Sequence, residues 1–191
     1  MADFPSMNVL GFAGSLRKGS FNRMLLRSAV ELAPPGMTID TFELDAIPQY
    51  NGDVEAQGDP EPVAEFKEAI YRTDAILVVT PEYNYGVPGV LKNAIDWASR
   101  PPGKSVLNGK AAAIMGASPG AFGSVRAQLQ LRQAFVFTQT LAVLQPEVLV
   151  AKAHEKFDAE GRLTDEPTRK FVRQLLEALA AWTERLRRGH S

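Results

Sequence analysis

The sequence contains no cysteine, and this absence excludes several chemistries at once. Disulfide frameworks, thiolate nucleophiles, Cys-x-x-Cys redox pairs and thiolate-ligated metals all fall away. So do the low-molecular-weight tyrosine phosphatases, which place an anion loop after a first strand but need a cysteine in it. Histidine is almost as scarce, with only 2 in the chain, His154 and His190. No metal ligands are assigned. No apolar run approaches the ~20 residues a membrane helix needs. The opening MADFPSMNVLGFAG carries an acid where a signal peptide would carry basic charge, and its apolar part suits a strand. A cytoplasmic protein without membrane insertion is the expectation. Charge of one sign is also lacking: the net charge is −1, which argues against a broad nucleic-acid-binding face. Any redox chemistry here needs a bound cofactor to carry the electrons.

The chain is 191 residues long, enough for one domain over residues 1–191 with a substantial core. It shows no repeat, low-complexity tract or linker. Short β-rich runs alternate with longer helical periods. MNVLGFAG (residues 7–14) reads as a first strand. Leu25, Leu26, Ala29, Val30 and Ala33 then keep helical spacing until Pro34-Pro35. TIDTFEL (residues 38–44) alternates like an edge strand, and residues 45–62 form a long Pro-, Gly- and Asp-rich loop. A helix over VAEFKEAIYRT leads to AILVVT (residues 75–80), a strand apolar on both faces. Pro88 opens a helix through GVLKNAIDWASR that stops at Pro101-Pro102. GKAAAIMGAS gives a strand, SVRAQLQLRQAFVFTQTL a helix and PEVLVA a last strand. The final helix sets Phe171, Leu175, Leu179, Trp182 and Leu186 on one core face. Five strands alternating with helices predict a parallel sheet covered on both sides. The expected fold is α/β, a flavodoxin-like doubly wound sheet of order 2-1-3-4-5, with ligands beyond the carboxyl ends of the strands.

Three loops should share that rim. GSLRKGSFN (residues 14–22) offers Gly14 and Gly19, the Ser15 and Ser20 hydroxyls, Arg17, Lys18 and Asn22 just ahead of a helix. Free N–H groups, a helix dipole and charge-assisted donors suit a phosphate. The P-loop lysine between the last glycine and serine is missing, and the G-x-G-x-x-G spacing fails, so a nucleotide triphosphate or a dinucleotide fits poorly. A response-regulator receiver would need acids where Gly14-Ser15 stands. A single terminal phosphate matches best. The second loop, PEYNYG, brings Tyr83 and Tyr85 as flat faces for a heteroaromatic ring and Asn84 for its polar edge. Glu82 reads as a solvated or helix-capping carboxylate rather than a general acid. The third loop, GASPGAFG (residues 116–123), lets backbone approach a ligand.

GSLRKGSFN, PEYNYGVPGVLKNAIDW and ASPG together resemble the NADPH-dependent FMN reductase family, and within it the bacterial NAD(P)H-dependent quinone and chromate reductases. The resemblance is close to about Val150 and looser beyond, with Lys152 to Pro167 departing most. It implies that Ser15, Arg17, Ser20, Phe21 and Asn22 hold the FMN phosphate and ribityl chain. Pro81, Glu82, Tyr83, Asn84 and Tyr85 would line the isoalloxazine, with Ser118 and Gly120 approaching from the fourth strand. NADPH or NADH would act as reductant, with quinones, chromate, azo compounds or free flavin as acceptors. The chemistry would be carried by FMN, so no catalytic side chain is nominated. A flavodoxin-type electron carrier or a flavin-binding regulatory module are the competing classes; the former is usually strongly acidic. The apolar loading of GVLKNAIDWA and LRQAFVFTQTLAVL suggests a homo-oligomer, a dimer or, as in the family, a tetramer.

Overall fold

The apolar runs pair into one parallel sheet in the computed structural model, which describes residues 6–189. Residues 1–5, His190 and Ser191 lie outside the described residues. Strands β1 (Met7–Ala13), β3 (Ala75–Val79) and β4 (Ala111–Ala117) are central, and β2 (Met37–Phe42) forms one edge. The other edge is shared by β5 (Leu141–Ala142) and β6 (Val148–Val150), which both pair with β4. The expected order 2-1-3-4-5 is the order observed.

Side-chain alternation along each strand decides the layers. Val9, Ala13, Leu77, Val79, Ala113 and Met115 pack on one side with α1 (Phe21–Glu31) and α6 (Glu166–Gly189). Leu10, Phe12, Ile76, Val78, Ala112 and Ile114 pack on the other. That side is covered by α3 (Glu61–Arg72), α4 (Gly89–Ala98) and α5 (Val125–Thr138). With both faces buried, the central strands read as nearly continuous apolar runs. The chain leaves β1 toward one layer and β2 toward the other, so the switch point lies at the carboxyl ends of β1 and β3.

Several details differ from the sequence expectation. The helix expected to run to Leu141 stops at Thr138, because Gln139 takes a left-handed φ of 56°, a common helix stop. Leu141 and Val143 then donate to the carbonyls of Lys110 and Ala112, which draws the chain onto β4. The fifth strand is therefore split. Arg132 Nη1 and Gln128 Nε2 donate to the carbonyls of Val143 and Val148 on either side of the gap. The long loop contains a short helix, α2 (Gly52–Glu55), and is fastened to α4. The Pro48 carbonyl accepts from Asn93 Nδ2 and Trp97 Nε1, and Tyr50 N donates to Asn93 Oδ1.

The buried face of α6 is centred on Val172, Leu175, Leu176, Leu179, Ala180 and Thr183, while Phe171 is 50% exposed. Apolar loading also divides unevenly between two helices. Leu91, Ala94, Ile95, Trp97 and Ala98 of α4 are internal, whereas Val136 and Phe137 of α5 are 80% and 83% exposed. Among the described residues no helix is long and apolar enough to cross a membrane.

Asp165 caps α6. Its Oδ2 accepts from Thr168 N at 2.9 Å, and Lys156 Nζ lies 2.9 Å away. The Thr168 hydroxyl first, and then Lys156, hold this carboxyl below the usual carboxylate range. A lowered folded-state pKa stabilises the protein above the ordinary carboxylate pKa and is lost as pH falls through the lowered value. Asp165→Ala should cost about 1 kcal/mol in urea unfolding at neutral pH. The gap from the wild type should shrink in acid; a gap that widens there would contradict the assignment.

Candidate functional site

The loops after β1, β3 and β4 enclose a cleft of about 300 Å³ at the switch point. Its walls are Ser15, Arg17, Ser20, Phe21, Asn22, Pro81, Glu82, Tyr83 and Ser118, together with Ala117 and Pro119. Gly19, Asn84, Tyr85 and Gly120 do not line it.

The first loop meets α1 at Ser20, whose Oγ accepts from Asn22 N at 3.2 Å. That contact is an N-cap and uses the hydroxyl only as an acceptor, leaving its proton to donate. Ser15 and Ser20 are both buried. Among the described residues, the backbone N–H groups of Ser15, Leu16, Arg17, Lys18 and Gly19 have no acceptor within the protein. Unspent amides, two buried hydroxyls and Arg17 at the N-terminus of an 11-residue helix make a donor set that fits a phosphate monoester. The residues present therefore fit the phosphate end of FMN.

Asn22 does something different from its neighbours. Its Nδ2 donates to Ala117 O at 2.9 Å, and its Oδ1 accepts from Ala117 N at 2.8 Å. The buried amide thus bolts the start of α1 to the end of β4. Gly116, next to it, has no room for a side chain: a Cβ there would overlap Ser124 Oγ and the Thr80 carbonyl.

The second loop is a tight two-residue turn. Tyr83 and Gly86 exchange both backbone hydrogen bonds, and Asn84 and Tyr85 sit at φ 50° and 65°. The Tyr83 hydroxyl lies 3.4 Å from Ser15 Oγ, so the first two loops touch. Tyr85 points elsewhere: its ring centroid is 4.0 Å from the Arg126 guanidinium carbon. Glu82 is a helix cap. Its Oε2 accepts from Arg126 N at 2.8 Å and Ala127 N at 3.3 Å, and its Oε1 is 2.9 Å from Arg126 Nη1. A carboxylate on free amides at a helix start is favourable. Gln130, one turn further on, accepts from Val87 N at 2.6 Å.

The third loop is braced from the segment that follows β6. Ser118 N donates to Val150 O, Lys152 N to Gly120 O and Ala153 N to Ser118 O. Phe157 then packs its ring 5.7 Å from that of Phe21 on α1. The segment that departs most from the family resemblance thus supports the cleft from outside.

Sequence reading missed Ala117 and Pro119 in the wall, and Arg126 and Gln130 behind it. Arg126 and Gln130 are one helical turn apart, but the helix also carries Gln128, Arg132 and Gln133, so no local pattern singles them out.

Comparison with known proteins agrees with this geometry. A model of the NADPH-dependent FMN reductase family matches residues 7–155. The chain is 51% identical over 181 residues to an NAD(P)H-dependent FMN reductase of Pseudomonas aeruginosa, covering 95% of this chain and 97% of that protein. It is 44% identical over 171 residues to a quinone reductase of Pseudomonas putida, covering 90% and 91%. Among solved structures it is similar to FerB, a flavoenzyme NAD(P)H:(acceptor) oxidoreductase from Paracoccus denitrificans. There the TM-score is 0.86 at 38% identity, with 94% of this chain and 98% of that one covered.

Asn22→Ala would leave two buried backbone groups of Ala117 unpaired, at about 1–3 kcal/mol each. The variant should lose about 2 kcal/mol or more in urea unfolding and bind FMN more weakly. Unchanged stability would reject the bolting role.

Proposed function

The chain belongs to the NADPH-dependent FMN reductase family, and on that premise we propose that it is an FMN-dependent NAD(P)H oxidoreductase of quinones. The observation that carries this reading is the single cleft that joins a phosphate-type donor set to an aromatic loop. Ser15, Arg17 and Ser20 stand at one end, and Pro81, Glu82, Tyr83 and Ser118 line the rest.

In this reading Ser15, Arg17, Ser20 and the unspent amides between them bind the phosphate. Phe21 and Asn22 shape the wall beside it, and Pro81 to Tyr83 with Ser118 hold the ring system. Gly19, Asn84, Tyr85 and Gly120 act through the backbone of the loops they belong to. When bound, FMN supplies hydride transfer from the nicotinamide to the acceptor. Glu82 is committed to the start of α5, which supports assigning it no proton transfer. Glu82 in the cleft wall is already paired with Arg126, Arg17 is given to the phosphate in this reading, and no metal-type cluster occurs among the described residues. Shape contacts alone give only about 1–3 kcal/mol of discrimination, so the proposal extends to unrelated acceptors, chromate and azo compounds among them.

We further propose that residues 1–191 act as one flavodoxin-like unit, in the cytoplasm, as a dimer or a homotetramer. The exposed Val136 and Phe137 of α5, with Leu129 and Leu144 nearby in sequence, support a covered face. Light scattering at micromolar concentration should report an assembly larger than the monomer.

Steady-state NADPH or NADH oxidation with benzoquinone tests the activity; a holoprotein that passes electrons only to one protein partner would sink it. FMN should bind at least about a hundredfold more tightly than riboflavin, since two charge-assisted hydrogen bonds contribute ~1.5–3 kcal/mol each. Arg17→Ala should weaken FMN and leave riboflavin nearly unchanged. Equal affinities for the two flavins would remove the phosphate assignment.

A further inference from the structure

The gap that splits the fifth strand has a hollow beside it, away from the flavin cleft. Residues 140–145 form one wall and one face of α6 forms the other, enclosing about 580 Å³. The lining is apolar at Leu141, Ala142 and Val143 and, on α6, at Ala178 and Ala181. Three of these five are alanines, short enough to leave depth between strand and helix. Both walls are fixed. Trp182 Nε1 donates to Leu141 O at 2.7 Å, and Arg132 Nη1 donates to Val143 O at 2.8 Å. The hollow is thus preformed, and it falls within the roughly 300–1,000 Å³ of small-molecule sites.

A single cation stands at its edge. The arginines of α6 are Arg169, Arg173, Arg185, Arg187 and Arg188. Arg169 and Arg173 lie against Glu166, Arg187 against Asp74 and Glu184, and Arg188 against Glu184. Arg185 alone, among the described residues, has no hydrogen bond or ion pair; its guanidinium carbon is 6.0 Å from the Trp182 ring centroid. It is exposed and lines the hollow, and no acid lines it with Arg185. An apolar trough with one unspent guanidinium complements a ligand with an apolar body and one oxyanion. The shape decides the body. Ala178 to Arg185 covers about 10 Å of helix axis, so the hollow is long and suits a chain better than a fused ring.

We propose that the hollow between α6 and the interrupted fifth strand binds a medium-chain alkyl carboxylate, with its chain over the alanines and its carboxylate on Arg185. The occupant is the free acid. The proposal is independent of the reductase reading, because no residue of the flavin cleft lines the hollow. Burial of the methylenes supplies the affinity, and the guanidinium selects the acid over a neutral chain of the same length.

Calorimetry on the holoprotein, with decanoate below its micelle-forming concentration as the probe, tests this. Decanoate should bind as a single equivalent per chain, and decanol at least about tenfold more weakly. From hexanoate to decanoate, each added methylene should tighten binding about three- to fourfold. Arg185→Gln should bring decanoate down to the affinity of decanol and leave benzoquinone reduction unchanged. Ala181→Phe, which fills the hollow, should weaken both probes. Absent binding, many weak equivalents, or equal affinity of the wild type for acid and alcohol overturns the proposal without recourse to a variant. It is overturned as well if Arg185→Gln keeps the preference for the acid or Ala181→Phe leaves both affinities unchanged. Binding that occurs only as the protein dissociates in light scattering gives the hollow to a second copy of the chain, and also overturns it. Failure of the wild type to reduce benzoquinone strikes the reductase reading instead, and calorimetry still decides this site.

Discussion

Asn22 exchanges two hydrogen bonds with the backbone of Ala117, and the cleft depends on that exchange. A parallel sheet brings the ends of β1, β3 and β4 to one rim but does not hold the loops that leave them. Loops are the least constrained parts of a fold. Here the first loop is tied to β4 by a buried amide, and the same amide sits beside the phosphate-type donors. Cleft shape and helix entry are thus set by one side chain. A residue that looks like a ligand contact in sequence also does the work of a strut.

Glu82 makes the same point for the second loop. Its carboxylate satisfies two free amides at the start of α5 and pairs with Arg126. Because α5 packs on the sheet through Ala127, Leu131 and Phe135, the aromatic turn inherits the rigidity of the core. Two residues of that turn hold positive φ without being glycine, a conformation that costs free energy and persists when its surroundings over-determine it. Glu82, Gln130 and the Tyr85–Arg126 stack supply that over-determination.

The fold was legible where burial is two-sided. AILVV and AAAIMGA have every residue buried, so no helical period competes with the strand reading. The boundary after α5 was not legible, because Leu141, Ala142 and Val143 fit the end of a helix as well as a strand. Only their pairing with Lys110 and Ala112, some thirty positions earlier, decides between the two. The hydroxyl-rich first loop announced its chemistry through Ser15, Arg17 and Ser20, which the chain places together. The role of Tyr85 did not show itself. It needs a guanidinium from α5, three elements further on, and no local pattern marks which tyrosine of PEYNYG will turn toward it.

The interruption of the fifth strand has a bearing on solubility. An edge strand offers unpaired amides and carbonyls to any passing chain, and a long regular one invites stacking of molecule on molecule. Here that border is cut into pieces of 2 and 3 residues, and carbonyls beside the gap are already taken by Arg132 and Gln128. The opposite border, β2, places Asp40 among its outward positions. A sheet of parallel strands, slow to assemble because its contacts are distant in sequence, is thereby left with little continuous margin on which a fibril could grow.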